Sequence, residues 1–152
     1  MFSSAFSAKK AYKTVELETT VMSASPHKLV LMLYDGAITA INRAKANLEI
    51  KDIAQKGSAI SKAIDIIENG LKSSLDMKVG GDLATRLSML YDYMCDTLLV
   101  ANIKNDMSKL DEVLKLLNQL RAAWEAIADN PEALAAQEQL IARNQAQAQP
   151  QS

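Results

Sequence analysis

Residues 25–50 read SPHKLVLMLYDGAITAINRAKANLEI, and this stretch decides the fold. Ser25 offers a side-chain oxygen as a helix N-cap, and Pro26 stands at the first helical position, where a missing N–H costs nothing. From there Leu29, Leu33, Ala37, Ile41, Ala44 and Leu48 recur at three-to-four-residue spacing, while Val30, Tyr34 and Ile38 widen the stripe along its flank. The spacing predicts an amphipathic helix running to about Ile50, with an apolar face broader than one neighbour requires.

Working toward the C-terminus, Asp52 followed by Gln55 is a capping-box pattern for a second helix, whose apolar positions are Ile53, Ile60, Ile64, Ile67, Leu71 and Leu75. Gly57 and Gly70 weaken it locally. Gly80 and Gly81 make a turn, and Asp82 is then placed to cap a third helix with Leu83, Leu87, Leu90, Met94, Leu98 and Ala101 inward. The run from Asn102 to Asp106 reads as the next break. Asp106 or Ser108 caps a fourth helix carrying Leu110, Val113, Leu114, Leu117, Leu120, Trp124 and Ile127 on its inner face. Alternating runs rich in Val, Thr and aromatics are missing, so no strand reading competes.

Connections of a few residues make sequential helices antiparallel neighbours. The expected fold is all-α, an antiparallel four-helix bundle over residues 25–128. Residues 1–24, with Phe2, Phe6, Tyr12, Val15, Leu17, Val21 and Met22 in a looser pattern, read as a short helical arm docked on the bundle. Residues 129–152 read as a flexible Ala/Gln-rich tail, largely disordered, with some helix persisting to about Arg143.

Composition narrows the chemistry. The 152 residues suit one domain, and 17 Lys plus Arg against 18 Asp plus Glu leave no positive field to gather nucleic-acid phosphates or an anionic membrane. No apolar run of signal-peptide length opens the chain, and none approaches the roughly 20 residues of a membrane span. A single cysteine, Cys95, cannot make an intrachain disulfide, so a reducing cytoplasm is the natural setting.

The one histidine, His27, lies in a helical first turn and reads as a solvated residue there. One histidine cannot supply the two Glu-x-x-His motifs of a di-iron bundle, and one Cys with one distant His cannot hold structural zinc. Gly80-Gly81-Asp82 lacks the lysine and hydroxyl of a phosphate loop. With no nucleophile, base, metal or cofactor constellation in view, a binding protein is expected rather than an enzyme.

Two near-duplicate runs stand out, Met32-Leu33-Tyr34-Asp35-Gly36 on the first long helix and Met89-Leu90-Tyr91-Asp92-Tyr93 on the third. A tyrosine pairs an apolar ring with a hydroxyl that needs a partner when buried, so these suit a seam that seals the bundle edge and a peptide groove equally. Met22, Met32, Met77, Met89, Met94 and Met107 fit either core filling or an adaptable binding surface.

Over residues 10–128 the sequence resembles the FliS family of flagellar secretion chaperones. The resemblance rests on Tyr12, Ala24-Ser25-Pro26, Leu29, Met32 through Ile38, Ala44, Ala63 through Ile67, Gly80-Gly81, Leu90-Tyr91-Asp92-Tyr93-Met94, Leu98, Ala101-Asn102, and the ending Leu116-Leu117, Leu120-Arg121 and Trp124. The first nine residues and the Gln-rich tail depart from the pattern. The resemblance implies a cytoplasmic helical bundle that binds the C-terminal segment of new flagellin in a hydrophobic groove, blocking premature polymerisation until delivery to the export apparatus, without nucleotide or metal. A flagellar export-gate component or a flagellar regulator are further partners it implies. Expected contacts are Tyr12 and Val15 on the arm, Val30, Leu33, Tyr34 and Ile38 on the first helix, and Tyr91, Leu98, Ala101 and Asn102 on the third. Two other readings remain open: a regulatory adaptor, and an exported structural subunit that self-assembles.

Overall fold

Capping and packing turn these patterns into helices. In the computed structural model, which describes residues 25–141, Ser25 caps α1 (Pro26–Glu49), its hydroxyl accepting from Lys28 N–H at 3.2 Å. Asp52 caps α2 (Ile53–Ile66) by accepting from Gln55 N–H at 3.2 Å. α2 then widens into a π-helical stretch, Ile67–Lys72, at Gly70. Leu33 of α1 packs onto the Gly70 backbone so closely that a Cβ there would lie 2.9 Å from its Cδ2.

α3 (Gly81–Lys104) starts two residues earlier than expected. Gly80 takes the cap position with no side-chain bond, and Asp82 sits inside the first turn instead of capping it. Gly81 has φ +57°, which glycine adopts without strain. At the far end Asn105 turns left-handed at φ 51°, and Asp106 caps α4 (Met107–Ala126) through Ser108 N–H at 3.0 Å.

α1 packs against α2 and α4, and α3 packs against the same two, leaving α1 and α3 across the diagonal of a four-helix bundle. Surface ion pairs report antiparallel order: Lys45 near the end of α1 meets Asp111 near the start of α4 at 2.6 Å, and Asp35 near the start of α1 meets Arg121 near the end of α4 at 2.5 Å. Lys56, buried at the start of α2, donates to the Asn102 carbonyl at 2.9 Å and to its Oδ1 at 2.6 Å at the end of α3. The core runs along the bundle axis through Ala37, Ile41 and Ala44 of α1, Ile60, Ala63 and Ile67 of α2, Met94, Leu98 and Ala101 of α3, and Leu110, Val113 and Leu117 of α4. Leu83 and Ile53, expected inward, are exposed because each lies in the first turn of its helix, at an end of the bundle.

The expected arm, with Tyr12 and Val15, lies outside the described residues, as does the tail from residue 142. The start of that tail is ordered. Asn130 caps α5 (Pro131–Leu140), accepting from Glu132 and Ala133 N–H at 3.1 Å each. Leu140 and Ile141 are buried, Asp76 N–H donates to Leu140 C=O at 2.8 Å, and Leu75 and Ile141 form an isolated antiparallel bridge. Three apolar anchors, Leu134, Leu140 and Ile141, hold a segment whose overall composition is polar.

Gly80 seats this closure. A Cβ at that position would lie 2.7 Å from Asp76 C=O and 2.8 Å from Leu140 Cδ1. Because a backbone carbonyl cannot step aside cheaply, Gly80→Ala is expected to destabilise the fold by about 1–3 kcal/mol. The measure is the urea midpoint against wild type; an unchanged midpoint would show that the connection yields freely.

Candidate partner-binding surface

The expected contact residues separate by burial. Val30, Tyr34, Tyr91, Leu98 and Ala101 lie in the core, each no more than 5% exposed. Leu33, Ile38 and Asn102 are half-buried. Leu33 covers Gly70, Ile38 packs at the edge of the core, and the Asn102 side chain is held by Lys56. Of the eight expected contacts among the described residues, five are therefore core side chains and three reach the surface of the bundle.

The two tyrosines of the near-duplicate runs meet each other. Tyr34 Oη and Tyr91 Oη are 2.7 Å apart, each ring 2% exposed, bridging α1 and α3 across the diagonal. Burial pushes the Tyr34 hydroxyl up to about 12, partly offset by its bond to Tyr91. Tyr91 is raised further, first by burial and then by the neighbouring Tyr34. Both phenols stay protonated at neutral pH and serve as a polar bolt. Cys95 is also buried; burial and the nearby carboxylates of Glu68, Asp92 and Asp96 raise its thiol to about 11, so little nucleophilic thiolate forms.

His27 is not solvated as expected. It is buried, stacked on Trp124 with ring centroids 5.6 Å apart, and its Nδ1 lies 2.5 Å from Gln137 Oε1 on α5. Trp124 Nε1–H donates to the His27 carbonyl at 3.0 Å. With Oε1 as the acceptor, the imidazole proton sits on Nδ1, leaving Nε2 buried without a partner among the described residues. The cluster ties α5 to the first turn of α1 and the end of α4. The sequence held no local signal for it, because Gln137 is 110 residues from His27 and belongs to a polar tail.

Sequence reading also missed the outer face of α3. Met89, Tyr93, Leu99 and Ile103 are exposed there, Ile103 at 78%. At the bundle end nearest Ile103, Ile50 and Ile53 are exposed as well. The signal was available as a second three-to-four spacing on the same helix, hidden behind the stronger inward one. Among the described residues, no three His, Cys, Asp or Glu side chains converge as a metal ion would need, and no helix is long and apolar enough to cross a membrane.

A closed apolar core, with several large apolar side chains left on the surface, defines the class as a helical bundle. The comparisons give that class a family. The family profile described as Flagellar protein FliS matches residues 8–131, and the chain belongs to this family of flagellar secretion chaperones, which is not an enzyme family. It is 53% identical over 118 residues to the flagellar secretion chaperone FliS of Salmonella typhimurium, covering 78% of this chain and 87% of the relative. The corresponding Vibrio cholerae protein is 42% identical over 118 residues, 78% of this chain and 86% of its own. That of Escherichia coli is 44% identical over 115 residues, with 76% and 85% covered. The profile ends at residue 131, where α5 begins, so Gln137 lies beyond it.

The tyrosine bolt gives two expected outcomes. Tyr34→Phe strands the Tyr91 hydroxyl and costs about 1–3 kcal/mol, whereas the double change to Phe costs less than the sum of the singles. Since burial raises the folded Tyr34 above its ordinary value of 10.0, the stability tied to its proton is complete below pH 10 and is lost as pH rises toward 12. Urea unfolding across pH 9–12 checks both; additive single changes, or a double variant as alkali-sensitive as wild type, would refute the coupling.

Proposed function

We propose that this chain binds the C-terminal segment of newly made flagellin in the cytoplasm and keeps it from polymerising before it reaches the export apparatus. The observation that carries the reading is the family match over the whole bundle, shared with relatives named flagellar secretion chaperones. The mode is helix-in-groove recognition, in which an amphipathic segment lays its apolar side on the bundle and becomes ordered as it binds.

Leu33, Ile38 and Asn102 supply the accessible contacts, Tyr12 and Val15 join from the arm, and Val30, Tyr34, Tyr91, Leu98 and Ala101 set the shape beneath. Leu33 and Ile38 are five residues apart, which separates them by about 140° around the helix. Leu33 faces the Gly70 side, while Ile38 falls on the side where Asp35 and Lys45 pair with α4. Contacts on both flanks suit a segment that wraps the bundle rather than one straight rod.

Calorimetric titration with a peptide spanning the C-terminal region of the organism's own flagellin tests this directly. Tight binding with a large negative heat-capacity change is expected, and Ile38→Glu should weaken it at least tenfold while the melting temperature moves only a few degrees. Absence of heat and of complex formation would reject the chaperone reading; full affinity in Ile38→Glu would move the groove off α1.

A further inference from the structure

We infer that the solvent face of α3 is a second docking surface, built for one amphipathic helix of a different protein that carries a lysine or arginine in the middle of its apolar stripe. Met89, Tyr93, Asp96, Val100 and Ile103 follow each other at spacings of four, three, four and three residues. That is the spacing of a coiled-coil seam, on the side of α3 opposite Met94, Leu98 and Ala101, which fill the core. Met89 is 65% exposed, Ile103 78%, and Val100 is half-buried. Four of the five seam positions are therefore apolar or aromatic over about four turns, and Met89, Tyr93 and Ile103 stand exposed among the described residues.

The middle position is the exception, and it selects the occupant. Asp96 is exposed and makes no ion pair among the described residues, whereas the charged groups beside it are engaged. Asp92 pairs with Lys72 at 2.7 Å on one flank, and Glu112 of α4 accepts from the Tyr93 hydroxyl on the other. Asp96 is thus the one charged member of an otherwise apolar strip. A helix closing over it buries Asp96, which is costly unless a cation arrives with the partner.

A second copy of this chain does not meet that need over the full seam. Parallel pairing sets Asp96 opposite Asp96, and antiparallel pairing over the full length sets it against Tyr93 or Val100. Sliding two copies until Arg86 answers Asp96 leaves Val100 and Ile103 uncovered and retains only Met89 and Tyr93. A foreign helix with its cation centred covers all five positions at once. This surface is separate from Leu33 and Ile38 on α1, and it does not depend on the flagellin reading.

The test uses the full-length protein and two designed 21-residue amphipathic peptides with identical heptad seams, one with Lys and one with Glu at the central seam position. By fluorescence anisotropy the Lys-centred peptide should bind at least tenfold tighter, Asp96→Lys should reverse the order, and Ile103→Lys should remove binding of both while circular dichroism stays unchanged. Equal binding of the two peptides, an order unaltered by Asp96→Lys, or binding that survives Ile103→Lys would overturn the assignment. Displacement of the probe by the flagellin peptide would overturn the separateness of the surface. In sedimentation equilibrium, dimerisation of wild type abolished by Arg86→Glu would assign the face to a second copy instead, and self-association appearing only in Asp96→Leu would support the role given to the carboxylate.

Discussion

The hydrogen bond between Tyr34 and Tyr91 fixes much of what the bundle shows to solvent. A four-helix bundle can gain most of its burial energy in several rotational settings of its helices, since apolar side chains pack against one another without strong directional demands. A buried hydroxyl has no such freedom, because leaving it unpaired costs more than the bond itself contributes. Satisfying both hydroxyls at 2.7 Å across the diagonal sets the rotation of α1 and α3 together. Once Tyr91 points inward, Met94, Leu98 and Ala101 must follow it into the core, and Met89, Tyr93 and Ile103 are turned to water.

The helix limits and the four-helix arrangement were legible because they are local. Ser25-Pro26, Asp52 with Gln55, and Asp106 with Ser108 carry their caps within four residues, and the structure uses each of them. Asp82 failed as a cap because Gly80 and Gly81 reach the helical turn first, and a glycine pair gives no hint of which member begins the helix. The tyrosine runs were recognisable as a pair, yet only the fold shows that the two hydroxyls are each other's partners. This is why the contact set drawn from sequence contains five core residues: the same broad stripe serves a wide core or an open groove, and the distinction rests on how many neighbours α1 has.

His27 and Gln137 mark the harder limit. A histidine beside a proline in a first turn and a glutamine in an Ala/Gln-rich tail each read as solvated, and only their encounter changes that. Trp124 makes the encounter favourable by stacking on the imidazole and bonding to the His27 carbonyl, while Leu140 and Ile141 supply the apolar contact that a polar tail otherwise lacks. A few anchors suffice because the bundle end already offers Leu75, Ala84 and Trp124 as a floor.

The same economy explains how large apolar side chains stay outside the core without loss of the fold. Its core is closed by small residues at the helix crossings, Ala37, Ala44, Ala63, Ala84 and Ala101, which let the helices approach closely. Large apolar side chains that exceed what this narrow core accommodates must lie at the seams or outside, as Leu33, Ile38, Met89 and Ile103 do. Their exposure would invite self-association if every position of the α3 stripe were apolar. A carboxylate in the middle of that stripe removes the symmetric solution at little cost to the isolated chain, since Asp96 remains hydrated until something covers it.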